Sequence, residues 1–302
     1  MPTVIDIRFP DESFMINKDT HYVSLVNGGK KISSEKSILF CGICRNVESR
    51  IEQNILRIKE TAKIFKDHHI YMYENDSTDA TKEIINKYVD HDLTFQSETR
   101  EDSNYVEILQ RGEDRSQFNR CCALSNCRNK YIDFLEKSDR KFDYVAVIDL
   151  DLWGGWSYDG IAHSINWLNL PEVGGVTAHG VLSDYHNNKS VEEVHPDHWL
   201  MFDSWSWRSY NTQGRFPTSV AQYNYIKLDT SSTPILVDSN FNGLGIYKSE
   251  CVLGNRYQSK KWSDTGSDSA HIAFHRRIYN MGLQVLYNPN MIVSYSNHKY
   301  SK

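Results

Sequence analysis

Short apolar runs alternate with segments of helical periodicity along the first half of the chain. Runs of strand length occur at 37–43, 69–74 and 93–98. Between them, the segment 47–68 carries apolar residues at helical spacing, and 80–90 forms a second, shorter helical pattern. This alternation is typical of a parallel sheet with helices on its faces, joined by right-handed crossovers. The pattern therefore predicts a Rossmann-like first half.

The pattern becomes more mixed after residue 99. A helix predicted over 118–137 precedes the apolar strand 144–148, and a helix and strand close the chain. Residues 1–36 are expected to form an irregular or short-strand lead-in that ends at a Gly-Gly turn. No repeat or linker interrupts the remainder, which favours a single domain over 37–302.

We expect this domain to have two parts that share one sheet. Residues 37–155 form the predicted ligand-binding half, and residues 156–302 form a smaller, mixed half.

Two aspartates follow the apolar strand, in the sequence YVAVIDLDLWGG. Because side chains alternate along extended chain, Asp149 and Asp151 are predicted to point the same way, while Leu150 faces the opposite side. The carboxyl edge of a strand is where open α/β sheets bind ligands. A divalent cation would stabilise two like charges there, and carboxylate oxygens suit Mg²⁺ or Mn²⁺ bound together with a nucleotide diphosphate. The alternative is a solvated strand end with two surface aspartates.

The composition is that of an ordinary globular protein rich in aromatic residues. The 302 residues are 39% hydrophobic, carry a net charge of -5 and include 18 tyrosines and 7 tryptophans. No basic stripe stands out, so a nucleic-acid or anionic-membrane surface is not expected, and aromatic residues without basic excess suit sugars. The sequence shows no leader and no run of apolar residues long enough to span a bilayer. We therefore expect a soluble, cytoplasmic protein.

Six cysteines show none of the regular spacing of a secreted disulfide framework. We expect them to be reduced. Cys41 and Cys44 form a lone CxxC in the first predicted strand, where a packing role is favoured over zinc binding.

Six segments together resemble the metal-dependent, nucleotide-sugar glycosyltransferases of the GT-A fold, and among these the fungal capsule-associated mannosyltransferases and related viral and bacterial transferases. They span 38–298 and are CGICRNVESRI, YENDSTDAT, NRCCALSNCRN, IDLDLWGG, FNGLGIY and SDSAHIAFHRRIYNMGLQVLYNP. The resemblance implies a mixed, mainly parallel sheet flanked by helices. It also implies transfer of a sugar from a UDP- or GDP-sugar to a hydroxyl of a glycan acceptor.

The resemblance places the donor nucleotide at the ends of the first two strands. Arg45, Glu74 and Asp76 are therefore expected donor contacts, since carboxylates accept hydrogen bonds from base or ribose and a guanidinium binds phosphate. The segment NDSTDAT is also a good helix start, and we assign Asp79 to that capping role.

Arg120 and Arg128 lie eight residues apart on one predicted helix, so they can face the same side. We expect Arg128 to reach the diphosphate, because the Arg-Asn pair found here also occurs after the first strand. The alternative for either arginine is an exposed ion pair with Glu136 or Asp133.

The segment SDSAHIAFHR contains the acid-base candidates. Asp268, His271 and His275 have the spacing of one helix face. The resemblance implies that Asp268 is the general base on the acceptor hydroxyl in an inverting enzyme, and that His271 assists. The alternative is that Asp268 caps the helix and His271 packs.

The remaining candidates concern the metal and the acceptor. The resemblance implies that a late histidine, His298, is a third metal ligand beside Asp149 and Asp151, and an imidazole ligand favours Mn²⁺ over Mg²⁺. Trp153 and Asn242 are expected to line the acceptor side.

Two other functions compete with a transferase. A haloacid dehalogenase-type phosphatase also carries two aspartates two residues apart after an apolar strand, but its motif opens the fold. A catalytically inactive carbohydrate-binding protein would keep the cleft without the chemistry.

Overall fold

The computed structural model describes residues 7–9, 18–99, 117–182, 200–201, 203, 205–211, 232–260 and 268–295. The helices are α1 (Thr20–Ser33), α2 (Ile51–Ala62), α3 (Thr81–Asn86), α4 (Gln117–Lys137), α5 (Tyr158–Leu168), α6 (Ser249–Val252) and α7 (Ala270–Asn280). The strands are β1 (Ser37–Cys44), β2 (Asp67–Asn75), β3 (Leu93–Glu98), β4 (Tyr144–Ile148), β5 (Gly155–Trp156), β6 (Val173–Leu182), β7 (Leu200–Met201), β8 (Arg208–Ser209), β9 (Ile235–Ser239), β10 (Leu244–Lys248) and β11 (Gln284–Ser294). In this part of the chain, no helix is both long enough and apolar enough to cross a bilayer.

The described strands form one sheet with the order β3-β2-β1-β4-β10-β6-β11-β9-β8, while β5 pairs with β11 and β7 with β6. The first four strands in this order are parallel. Strand β10 is antiparallel to both of its neighbours, β4 and β6, and β11 is parallel to β6. The predicted α/β fold with a mixed, mainly parallel sheet is confirmed.

The sheet is buried on both faces, as the continuous apolar runs predict. Along β1, Ile38 and Phe40 belong to the core that includes apolar residues of α2, and Leu39 and Cys41 belong to the core that includes those of α4. Because β1, β2 and β4 are parallel neighbours, their carboxyl ends meet at one edge of the sheet.

The lead-in is not irregular over its second half, so that prediction was wrong. Residues Thr20–Ser33 form α1, and Asp19 caps it by accepting a hydrogen bond from the Tyr22 backbone N–H at 2.8 Å. A Cβ on Gly29 would lie 1.7 Å from the Ala162 carbonyl oxygen, so this glycine allows close contact with α5 instead of forming a turn.

All six cysteines are free, as expected, and five of them are buried. Cys41 and Cys44 pack in β1, and burial raises the pKa of both thiols well above the ordinary value. This confirms the packing role predicted for the CxxC.

Candidate functional site

A pocket of about 560 Å³ opens at the carboxyl edge of the sheet. Its walls come from the ends of β1, β2 and β4, the first turns of α4, the start of α7, and single segments around Asp203 and Phe241. Three carboxylates and three guanidinium groups line it; they belong to Asp149, Asp151, Asp203, Arg45, Arg120 and Arg128. The pocket therefore combines groups that bind cations with groups that bind anions.

The paired aspartates reach this pocket as predicted, although β4 ends at Ile148, directly before Asp149. Asp149 and Asp151 both line the pocket, while Leu150 is buried in the core at 1% exposure. The backbone N–H of Asp149 donates to the Gly243 carbonyl at 2.9 Å, and the Tyr295 hydroxyl donates to Asp149 Oδ2 at 2.9 Å. The alternation of strand side chains continues into the turn.

The electrostatics of Asp149 show that negative charge is crowded here. Burial is the largest cause that raises the pKa of the Asp149 carboxyl to about 7; the nearby charges of Asp151 and, to a smaller extent, Asp203 act in the same direction, while Arg128 and the Tyr295 hydrogen bond act in the opposite direction. A bound cation would favour the ionised form of this carboxyl and offset its repulsion with Asp151.

The donor set fits a divalent cation held by two carboxylates. Within the described residues, no group of three His, Cys, Asp or Glu side chains is placed to hold a metal ion. Mg²⁺ and Mn²⁺ commonly use one or two carboxylates and complete their shell with water and substrate oxygens. Cys44 also lines the pocket, but its raised pKa keeps the thiol neutral. His298, the predicted third ligand, lies outside the described residues.

Buried side chains of α2 hold the turn that carries the two aspartates. Asn54 Nδ2 donates to the carbonyls of Leu150 at 3.0 Å and Leu152 at 2.8 Å. Arg57 Nη1 donates to the Trp153 carbonyl at 3.2 Å. Asn54 and Arg57 are 0% and 1% exposed, so water cannot replace these bonds. Neither residue was predicted from the sequence. The helix is predicted from its apolar positions alone, and nothing in that pattern marks Asn54 or Arg57.

Replacing Asn54 with leucine is expected to lower the free energy of unfolding by about 2 to 5 kcal/mol, because two buried carbonyls lose their donor. We also expect weaker Mn²⁺ binding, since the aspartate turn loses its support. Urea unfolding and Mn²⁺ titration measure the two effects. The control is Asn86→Leu at the exposed end of α3, expected to change stability by about 0.5 kcal/mol or less. Equal stability of the two variants would contradict the supporting role.

The arginines lie where the sequence predicts them. Arg45 lines the pocket, and its buried Nε has no hydrogen-bond partner among the described residues. Arg128 lines it as well, with its guanidinium carbon 6.0 Å from the ring centre of Phe241 and 5.8 Å from that of Tyr257. Arg120 lines the same wall.

The two acids considered as alternative partners of these arginines, Asp133 and Glu136, pair with Arg256 instead. Arg256 Nη1 contacts Asp133 Oδ1 at 2.5 Å, and Arg256 Nη2 contacts Glu136 Oε2. Arg120 and Arg128 both line the pocket.

The second strand contributes a different residue from those predicted. Glu74 is buried and accepts hydrogen bonds from the Ser77 N–H at 2.6 Å and the Ser97 hydroxyl at 2.5 Å. Asp76 accepts from Asn75 Nδ2 at 2.8 Å. Of this stretch only Asn75 lines the pocket. Neither Glu74 nor Asp76 lines the pocket; Glu74 is buried, Asp76 is partly buried, and both accept hydrogen bonds at the end of β2.

The assignment of Asp79 as a capping residue agrees with its contacts. Its Oδ1 accepts from the backbone N–H of Thr81, the first residue of α3, at 3.0 Å. Its Oδ2 accepts from the Glu48 N–H at 3.1 Å, which connects the loops after β1 and β2.

The predicted helix face of Asp268, His271 and His275 is wrong in part, because α7 begins at Ala270 and Asp268 precedes it. Asp268 Oδ1 contacts Arg208 Nη2 at 2.9 Å, and Asp268 does not line the pocket. The alternative, that it caps the helix, is not observed either, because the N-cap is Ser269.

The two histidines have different surroundings. His275 is in the core, where Nδ1 lies 3.0 Å from the Ser239 hydroxyl and Nε2 lies 2.9 Å from the Tyr247 hydroxyl. His271 lines the pocket and stacks on Phe241 at 3.8 Å between ring centres. Burial lowers the pKa of His271 well below the ordinary value, so the ring is neutral. Its two nitrogens have no hydrogen-bond partner among the described residues.

Trp153 and Asn242, the predicted acceptor contacts, do not line the pocket. Trp153 is 37% exposed, and the Arg50 guanidinium carbon lies 4.6 Å from its ring centre. Asn242 is fully buried, has a positive φ of 53° and accepts from the Asp203 backbone N–H at 2.9 Å. It therefore orients a pocket residue from behind.

Asp203 is the pocket carboxylate that the sequence did not reveal. It lies in the aromatic block HWLMFDSWSW, which has neither strand nor helix periodicity. A single acid among aromatic residues was the only signal available.

Several solved structures that are similar to this chain are those of glycosyltransferases. A mannosyltransferase from Pyrobaculum calidifontis, in complex with GDP-Man and Mn²⁺, is 15% identical with a TM-score of 0.47; the match covers 95% of this chain and 69% of that one. GalNAc-T7 with UDP, GalNAc and Mn²⁺ is 10% identical with a TM-score of 0.49, covering 86% of this chain and 44% of that one. Glucosyl-3-phosphoglycerate synthase of M. tuberculosis is 12% identical with a TM-score of 0.44, covering 91% and 76%.

No protein-family model matches the chain. No curated protein sequence matches it either. These similarities are similarities of the backbone. The function proposed below is therefore argued from the pocket residues.

Proposed function

We propose that this protein is a metal-dependent glycosyltransferase, which moves a sugar from a nucleoside-diphosphate sugar to a hydroxyl of a glycan acceptor. One observation carries the proposal. A single pocket at the carboxyl edge of the sheet holds the aspartate pair that follows β4, a guanidinium group directly after β1 and two guanidinium groups of α4. A cation site beside an anion site is what a metal-bound diphosphate needs.

The chain's own residues would divide the binding work. Asp149 and Asp151 would hold Mn²⁺ or Mg²⁺, which when bound supplies charge stabilisation for the departing diphosphate. Arg45 and Arg128 would bind phosphate oxygens, because a planar guanidinium offers paired donors to them. Asn75 would offer an amide to base or ribose at the end of β2.

The neutral His271 ring complements these charged groups. As a neutral imidazole it has one donor and one acceptor nitrogen, which suits a sugar hydroxyl rather than a phosphate. Its stacking partner Phe241 and neighbouring Trp205 give the same wall an apolar surface on which a sugar face can pack.

Thermal unfolding with ligands tests the proposal. We expect the melting temperature to rise when Mn²⁺ is added together with a UDP- or GDP-sugar, and to rise much less with either alone. A ligand at 100 times its Kd adds about 2.7 kcal/mol to the free energy of unfolding. A panel of UDP-glucose, UDP-GlcNAc, UDP-galactose and GDP-mannose covers both nucleotides.

Release of UDP or GDP in the same mixtures would then separate an enzyme from a binding protein. Binding of glycans without any metal-dependent binding of these donors would favour a carbohydrate-binding protein and contradict the transferase.

A further inference from the structure

We propose that Asp203, and not Asp268, is the general base that accepts the proton of the acceptor hydroxyl. This inference rests on the proposed glycosyltransferase function and assigns a residue to its acceptor side. It follows from the positions of the two carboxylates and from what each already binds.

The carboxylate of Asp268 is engaged in the scaffold. Arg208 has a fully buried side chain, and its Nη2 contacts Asp268 Oδ1 at 2.9 Å. Arg208 Nη1 also donates to the carbonyls of Trp205 at 3.0 Å and Trp207 at 2.7 Å. Proton transfer to Asp268 would leave a buried guanidinium without its counter-charge, which is strongly unfavourable. Asp268 is also not on the pocket wall.

Asp203 has the opposite placement, since its carboxylate lines the pocket. The backbone N–H of Asp203 donates to Asn242 Oδ1 at 2.9 Å. The Oδ1 atom of Asp203 accepts from the Ser206 N–H at 3.2 Å. The Ser206 hydroxyl lies 2.9 Å from that of Ser269, at the start of α7. These contacts fix the carboxylate against the part of the pocket that also contains His271.

Asp203 is close to the aspartate pair without belonging to a metal site with it. Its charge is near enough to act on Asp149. Yet among the described residues no three metal-binding side chains form a cluster, so Asp203 does not complete a three-ligand centre with Asp149 and Asp151. Among the described residues Asp203 makes no salt bridge and joins no three-ligand metal group, and a carboxylate in this situation on the pocket wall is suited to proton transfer.

The chemical step balances with this residue as base. The acceptor oxygen forms a bond to the anomeric carbon, and its proton passes to the Asp203 carboxylate. The bond from the anomeric carbon to the diphosphate oxygen breaks, and its electron pair leaves with the nucleoside diphosphate. Attack from the face opposite the leaving group inverts the anomeric configuration, and the proton then passes from Asp203 to solvent.

The test compares Asp203→Asn with Asp268→Asn in the full chain. Asparagine keeps the shape and the Ser206 contact at position 203 but cannot take a proton. The probes are UDP-glucose and GDP-mannose with Mn²⁺, and turnover is measured as release of UDP or GDP, first with water and then with methyl glycosides as acceptors. Donor affinity is measured separately by thermal shift, and the product anomer by NMR.

We expect Asp203→Asn to lower kcat by about 100- to 10,000-fold while donor affinity and melting temperature stay near wild type. Asp268→Asn should lower the melting temperature and keep kcat near wild type at a temperature where it is folded. The product should have inverted configuration.

Two results would overturn the assignment while leaving the proposed function intact: wild-type kcat in Asp203→Asn with intact donor binding, or a product of retained configuration. A wild-type protein that neither binds the donors with Mn²⁺ nor releases nucleotide would instead overturn the transferase itself, and this assignment with it.

Discussion

Replacing Asp151 with alanine is expected to abolish Mn²⁺-dependent binding of nucleotide sugars and all nucleotide release. The carboxylate lines the pocket next to Asp149, and the described residues offer no third side chain that would take its place in a metal cluster. Changes to residues that merely support metal ligands cost about 10- to 100-fold in affinity, so loss of one of two ligands should cost more than about 100-fold. Isothermal titration with Mn²⁺ and a donor measures the loss.

Asp139→Ala is the matched control for this variant. Asp139 is an exposed aspartate in the turn between α4 and β4, away from the pocket lining. The Asp139→Ala substitution changes the net charge by the same amount as Asp151→Ala, so a general charge effect on donor binding would appear in both variants. Normal Mn²⁺-dependent donor binding by Asp151→Ala would contradict the assignment of the metal site.

Replacing Asp149 with asparagine is expected to stabilise the metal-free protein at pH 8, although it removes metal binding. Burial and the charge of Asp151 raise the pKa of this carboxyl to about 7, so its ionised form destabilises the fold. Asparagine has the same shape, carries no charge and can still accept from the Tyr295 hydroxyl. One unit of pKa shift corresponds to about 1.4 kcal/mol, so the gain should be on the order of a few kcal/mol.

The gain should depend on pH in one direction. Because the folded-state pKa lies above the ordinary value of 3.8, the wild-type carboxyl favours folding fully only below pH 3.8, and this contribution is lost as the pH rises to about 7. The difference between Asp149→Asn and wild type should therefore be largest at pH 7 to 8 and shrink toward pH 4. Urea unfolding across this range measures it.

Mn²⁺ provides the internal control for this second prediction. Saturating Mn²⁺ with a donor should stabilise the wild type and leave Asp149→Asn unchanged, so the order of the two stabilities reverses. A variant that is less stable than wild type at pH 8 without metal would show that the carboxylate is not under electrostatic strain.

Much of the fold follows from sequence periodicity because local signals and tertiary burial agree. Strand β3 has the predicted bounds of 93–98, and the apolar run 144–148 is β4. The aspartate pair was predictable for the same reason, since alternation along one strand decides which side chains share a face. The resemblance, by contrast, implied Glu74 and Asp76 as donor contacts, whereas only Asn75 between them lines the pocket.

The features that periodicity does not reveal depend on partners far away in the sequence. The Gly-Gly pair predicted as a turn lies inside α1, because Gly29 must approach Ala162 in α5. Asp268 was predicted as a base, but its partner Arg208 lies 60 residues earlier. Asp203 gains its position from Asn242, 39 residues later. No local pattern encodes such pairs.

Strand β10 has a mechanical consequence for how substrates enter. It runs antiparallel between β4 of the first half and β6 of the second, with continuous backbone pairing to both. The Gly243 carbonyl, directly before β10, also accepts a hydrogen bond from the Asp149 backbone N–H. A hinge between the halves would have to break this ladder, so we expect them to behave as one rigid body. We expect any adjustment around a bound ligand to involve pocket side chains rather than rotation of the halves, with the amides of β10 among the last to exchange with deuterium.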